Sequence, residues 1–109
     1  MNLLMFSFFK NLFKAQPSVN YQELLAHGAQ LVDVRTTAEF KQGHLHGAIN
    51  IPLQILGDNL SKLRKDKPVI TYCASGMRSA AAKSVLINKG FDPVYNGGGY
   101  HRLENLLRK

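Results

Sequence analysis

Two spacings of apolar residues alternate along the chain. Gln30-Leu31-Val32-Asp33-Val34, Ile49-Asn50-Ile51, Val69-Ile70-Thr71-Tyr72 and Pro93-Val94-Tyr95-Asn96 are short runs rich in β-branched or aromatic residues, the pattern of buried strands. Between them lie stretches with helical spacing and helix punctuation. Asn20 with Glu23 and Thr36 with Glu39 are N-terminal capping pairs; the first helix carries Leu24-Leu25 and ends at Gly28, and the second stops at Gly43. Leu53, Leu56, Leu60 and Leu63 share one helical face, with Gly57-Asp58 as a break and Pro52 ending the strand before it. A longer helix from around Ser79 to Lys89 turns Ala82, Val85 and Leu86 inward and has Gly90 beyond its end. Gly97-Gly98-Gly99 leads into a last helix bearing Leu103, Leu106 and Leu107. Strands that alternate with helices require right-handed crossovers, which predicts an α/β fold with a parallel sheet covered on both faces. Ligands in such sheets sit beyond the carboxyl ends of the strands, where Cys73 falls.

Residues 1–16 stand apart from this alternation. On a helical wheel Ser7, Lys10, Asn11 and Lys14 share one narrow face, and Leu and Phe fill most of the rest, so an amphipathic helix is expected ahead of a domain at 17–109. The apolar run is too short to span a bilayer, and it lacks the basic start and small-residue cleavage site of a secretory signal. Its stripe suits packing on its own domain, pairing with a second copy, or lying in a membrane interface with the lysines at the headgroups. The pattern leaves the three open.

Composition narrows the class. A chain of 109 residues with 45% hydrophobic and 19% charged residues has room for one modest core and is not disordered. One cysteine excludes an internal disulfide, and no Cys/His cluster has zinc-ligand spacing, so a reducing cytoplasmic setting fits best, with the inner membrane face as a peripheral station. The net charge of +7 suits an anionic partner, but Lys62, Arg64, Lys65, Lys67, Arg108 and Lys109 cluster near predicted helix ends, where the helix dipole favours cations. No basic stripe studded with aromatics argues for nucleic acid.

The candidate chemistry lies at residues 69–82. A strand runs into Cys73, a glycine-containing loop follows, and a helix opens. Such a turn gathers backbone N–H groups without helical partners, and with the helix dipole they form an anion cradle. The N–H groups of Ala74, Ser75, Gly76, Met77, Arg78 and Ser79 are the candidate lining, and a thiol at the rim is driven toward thiolate. Arg78 pushes the same way and is the candidate for holding an anionic substrate. Asp33 is expected to accept N–H groups at the end of its strand, and Arg35 to pair with Glu39 four residues on. His44 is expected to serve as a hydrogen-bonding residue and Ser79 as a helix cap, while His27, His46 and His101 lack any ligand spacing.

Four motifs occur in a set order: Asp33-Val34-Arg35 with Glu39-Phe40, Gly43-His44-Leu45-His46-Gly47-Ala48-Ile49-Asn50-Ile51-Pro52, Tyr72-Cys73-Ala74-Ser75-Gly76-Met77-Arg78-Ser79, and Asn96-Gly97-Gly98-Gly99. Across residues 17–109 the chain resembles a single-domain rhodanese, a thiosulfate:thiol sulfurtransferase. The resemblance implies a five-stranded parallel sheet flanked by helices on both faces. It also implies that Cys73 accepts a sulfane sulfur from a small anionic donor such as thiosulfate and passes it, as a persulfide, to a small or protein thiol or to cyanide. The loop N–H groups would stabilise the persulfide and Arg78 would orient the sulfonate; Asp33, Arg35, Glu39 and His44 would support the site, and no metal or organic cofactor is implied. Two rival readings follow from the same cradle: a cysteine-based phosphatase or arsenate reductase, and a non-catalytic binding or redox-sensing module. The phosphatase signature has five residues between Cys and Arg, whereas four stand between Cys73 and Arg78, and the tighter ring favours sulfur. One departure from the resembled pattern is Leu103, near the place of a frequent Trp, which puts the packing there in question.

Overall fold

A computed structural model describes residues 19–108; the expected amphipathic segment at 1–16 lies outside them. Four α-helices and four strands follow in the order α1 (Tyr21–Ala26), β1 (Gln30–Asp33), α2 (Thr37–Gln42), β2 (Ile49–Asn50), β3 (Val69–Cys73), α3 (Met77–Asn88), β4 (Val94–Gly99) and α4 (Tyr100–Arg108), alternating except between β2 and β3. The sheet is parallel throughout, in the order β2-β1-β3-β4. It has four strands among the described residues where the resemblance implied five, and these four are the segments that the apolar runs themselves identify.

The two faces of the sheet are sorted by the strand period of two. Val32, Val69, Cys73 and Val94 pack with Ala82 and Leu86 of α3 and with Leu56 and Leu63 from the segment before β3. Leu31, Ile70 and Tyr72 point the other way, onto Leu24 and Leu25 of α1 and Leu103 of α4. Leu103 is fully buried and leaves no doubt about its packing: its Cδ2 lies 3.0 Å from the place a Cβ would take on Gly97. The leucine ladder at 53–63 is not one α-helix. It forms two 3-10 turns, Leu53–Asp58, which buries Leu56, and Leu60–Lys62, after which Leu63 enters the core. The break falls at Asn59 and not at the expected Gly57-Asp58, which lie within the first of the two turns.

Two of the basic residues before β3 lie at helix ends, those of α1 and α3, while Arg64 pairs with Asp66. Lys67 Nζ lies beside Gly28, just past α1, and Lys65 Nζ beside Gly90, just past α3, the ends at which the helix dipole favours a cation. No helix among the described residues is long and apolar enough to cross a membrane.

Candidate active site

Cys73 is the last residue of β3, and three residues carry the chain from it into α3. Gly76 makes the turn at φ +103°, a left-handed conformation that side chains other than glycine's strain to adopt, and it opens the helix two residues earlier than the sequence pattern indicates. This helix has no side-chain cap from its N-cap residue. Sulfur takes that place: the Gly76 N–H donates to Cys73 Sγ at 2.9 Å and the Ser79 N–H at 3.4 Å. Donors that elsewhere would bond a Ser or Asp oxygen converge on the thiol instead.

Cys73 is fully buried, with Sγ turned to the loop amides although the residue also packs into the core of the α3 face. Burial pushes the thiol up, but the Ser79 hydroxyl and the N–H groups of Ser79, Gly76 and Ser75 outweigh it, and the net effect is a thiol more acidic than an ordinary cysteine. Ser79 is buried within the first turn of α3 and is not the cap expected of it; its hydroxyl oxygen lies 3.5 Å from Sγ. Ala74, Ser75 and Met77 are exposed around the thiol, and Gly76 and Arg78 are half-buried.

The triple glycine presses the end of β4 against this loop. Thr71 pairs with Asn96 and Cys73 with Gly99, so β4 carries one residue more than β3 over the same span and forms a bulge. A Cβ on Gly99 would lie 2.8 Å from the Ala74 carbonyl oxygen, and one on Gly97 would lie 2.9 Å from that of Thr71. Only glycine lets the two backbones approach this closely.

The ion pairs differ from the expected ones. Arg35 does not pair with Glu39; it turns back to Asp33, which takes its Nη2–H at 2.7 Å and its Nε–H at 3.0 Å. Asp33 also accepts the Arg35 backbone N–H at 2.9 Å, as a strand-end acid was expected to do. Glu39 instead reaches Arg78 through two bonds of 2.7 and 3.0 Å, completing the capping box of α2 with Thr36 from the same carboxylate. Arg78, expected to face a substrate, is thus held at one edge by a carboxylate. His44 donates Nδ1–H to the Phe40 carbonyl at 2.8 Å and stacks on the Phe40 ring, an exposed structural contact. Among the described residues no group of His, Cys, Asp and Glu could hold a metal.

The guanidinium of Arg78 and the N–H and O–H groups of Thr36 hold the Glu39 carboxyl far below its usual range, at about 2 against 4.5. A lowered folded value means that the pair stabilises above pH 4.5 and that this contribution fades as the pH falls toward 2. Each side chain keeps about a third of its surface in water (37% and 33%), so the pair is worth about 1 kcal/mol at most. Glu39→Gln is expected to cost that amount in denaturant unfolding at neutral pH and nothing near pH 2; a constant difference across the range would place the effect elsewhere.

Asn96 is the residue whose role the sequence pattern did not single out. Its Oδ1 accepts the Ser79 hydroxyl at 2.6 Å and the Gly98 N–H at 2.9 Å, and its Nδ2 donates to the Gly76 carbonyl at 3.3 Å. The glycines after it were the available signal, since they mark where β4 comes close to another backbone. Beside the loop, a cleft of about 360 Å³ opens between Arg35, Glu39, Gly43, Ala74 and Tyr100.

A doubly covered parallel sheet with a lone thiol at a strand end, capping the next helix through its sulfur, defines an α/β protein built around a cysteine anion cradle. The chain belongs to the rhodanese family: the family's model, described as a rhodanese-like domain, matches residues 18–105. The uncharacterized protein YqhL of Bacillus subtilis strain 168 is 44% identical over 75 residues, 68% of this chain and 60% of that protein, so the chain spans less than two thirds of it. The thiosulfate sulfurtransferase GlpE of Pseudomonas savastanoi pv. phaseolicola is 33% identical over 87 residues, 80% of this chain and 82% of the relative. Among solved structures, a rhodanese with anions from Escherichia coli superposes with a TM-score of 0.65 at 34% identity, covering 68% of this chain and 89% of that one.

Proposed function

We propose that the chain is a sulfurtransferase in which Cys73 carries a sulfane sulfur from a small anionic donor such as thiosulfate to a thiol or to cyanide. The observation that carries this reading is the pair of amide N–H groups, of Gly76 and Ser79, aimed at the sulfur of a buried but acidified cysteine. The thiolate attacks the outer sulfur of thiosulfate; a new S–S bond forms, the old one breaks, and sulfite leaves with the electron pair. An acceptor thiolate then attacks the outer sulfur of the Cys73 persulfide and restores the Cys73 thiolate. Amides of Ser75, Gly76 and Ser79 stabilise both anionic forms, and the charge of Arg78, held in place by Glu39, attracts the Cys73 thiolate. The relatives' names and the four-residue spacing from Cys73 to Arg78 support sulfur over phosphate.

Intact-mass analysis after incubation with thiosulfate is expected to show a gain of one sulfur atom, returned to zero by an added thiol and absent in Cys73→Ser. No adduct from thiosulfate or any other sulfane donor would reduce the protein to a binding module of the same fold.

A further inference from the structure

We propose that Asn96 is a positioning residue: by accepting the Ser79 hydroxyl it decides where that proton points, and so how fully the hydroxyl can serve the sulfur of Cys73. Ser79 Oγ has three neighbours in reach, Asn96 Oδ1 at 2.6 Å, the Gly76 carbonyl at 3.0 Å and Cys73 Sγ at 3.5 Å. A hydroxyl has one proton to give. While Cys73 is a thiol, its S–H can donate to Ser79 Oγ and Ser79 passes its own proton to Asn96. A thiolate has no proton to give and draws one, and Ser79 can supply it only by turning away from Asn96. The Asn96 Oδ1 left behind keeps the Gly98 N–H at 2.9 Å, so the turn strands no acceptor. Asn96 Nδ2 meanwhile bonds the Gly76 carbonyl, the remaining claimant.

The regular register of β4 up to Asn96 makes this arrangement available, the bulge falling just after it. Pairing of Asn96 with Thr71 puts its side chain on the α3 face of the sheet, beside Ser79, while Tyr95 next to it packs on the opposite face. The charged groups around the loop come from other elements: Arg78 on α3, which feels both Cys73 and Asp33, is paired with Glu39 on α2, and Asp33 on β1 is paired with Arg35. At this point β4 presents only the neutral Asn96. Its consequence for sulfur transfer is a balance. Nucleophilicity falls as a thiol becomes more acidic, with a Brønsted slope of about 0.4–0.5, so a thiolate given every available donor reacts more slowly once formed. Asn96, as a competing acceptor, keeps the Cys73 thiolate from being stabilised that far.

The proposal draws its meaning from Cys73 as the sulfur carrier, but its test is a titration that does not require turnover. Because the chain has one cysteine, the pH dependence of its alkylation rate, or of thiolate ultraviolet absorbance, reports Cys73 alone. Asn96→Ala is expected to lower the Cys73 pKa by about half a unit to one unit, and to slow alkylation of the full thiolate by about two- to threefold. Ser79→Ala should raise the pKa, and adding Asn96→Ala to it should change nothing further. An equal shift in both backgrounds, an upward shift or no shift with Ser79 present would overturn the proposal. If thermal melts show that the alanine variant does not fold, the isosteric Asn96→Asp carries the test. Its rise in the Cys73 pKa must shrink when Ser79 is removed, and a rise of the same size without Ser79 would equally refute the role. Failure to form a persulfide with this cycle intact would refute the sulfurtransferase reading and leave the positioning role standing.

Discussion

Asp33→Ala is expected to destabilise the protein by about 3–5 kcal/mol, the cost of leaving a buried charge without its partner. Asp33 is fully buried and only 9% of the Arg35 side chain is exposed, so the guanidinium left behind gains little compensation from the water of the adjoining cleft. The guanidinium cannot swing out easily. It lies 4.7 Å from the centre of the Tyr100 ring and 5.6 Å from that of Tyr72, and its Nη2 also donates to the Gly43 carbonyl at 2.6 Å. The same carboxylate caps the Arg35 backbone N–H, and the Asn50 side-chain amide ties the Asp33 and Arg35 carbonyls, so the end of β1 is held through this turn. For a domain of this size the loss corresponds to a fall in Tm of about 15–30 °C. The control is the double variant Asp33→Ala/Arg35→Met, which removes both charges and should recover more than half of the loss in denaturant unfolding. A single variant costing less than about 1 kcal/mol, or a double variant as unstable as the single, would show that this turn is not held by charge.

Most of the architecture could be read before any coordinates, because strand and helix periods are local properties of the chain. Val69 to Tyr72 announces a buried strand by composition alone, and the Thr36–Glu39 capping box forms as its spacing predicts. The family resemblance carried the class correctly and the strand count one too high; the four apolar runs were the better guide to the described sheet. What escaped was partner choice among charged groups. Spacing of four makes Arg35 and Glu39 neighbours on a helix, but α2 starts only at Thr37, so Arg35 stands in the turn before it and meets Asp33 instead. Glu39 was then free to reach Arg78, thirty-nine residues away, a contact that no local pattern encodes. Asn96 escaped for a similar reason: its partners Ser79 and Gly76 lie seventeen and twenty residues earlier in the chain and meet it only through the pairing of β4 with β3.

Gly99→Ala is expected to be the most damaging glycine substitution for the site, through contact and not through backbone strain. Gly99 pairs with Cys73 across the sheet, and a methyl there would sit 2.8 Å from the Ala74 carbonyl oxygen and 3.4 Å from Ser75 Cα. Both neighbours are backbone atoms, so no side chain can rotate away and the loop itself must move. Overpacking of this kind costs about 1–3 kcal/mol in stability. The loss of function should be larger, because the displaced segment carries the amides of Ser75 and Gly76 that surround the sulfur, and a shift of about 1 Å in a reacting group can cost about 100-fold in rate. Two further glycines separate the causes. Gly47 has φ +80° but nothing within 4 Å of an added Cβ, so Gly47→Ala should cost about 1 kcal/mol of strain and leave sulfur transfer intact. Gly57 has neither constraint, so Gly57→Ala should be neutral or slightly stabilising. Thiosulfate-dependent persulfide formation and thermal melts on the three variants test the ranking. If Gly99→Ala keeps wild-type rates, the backbone of β4 does not hold the cradle in place, and the close packing of the glycine run against the loop has no part in the chemistry.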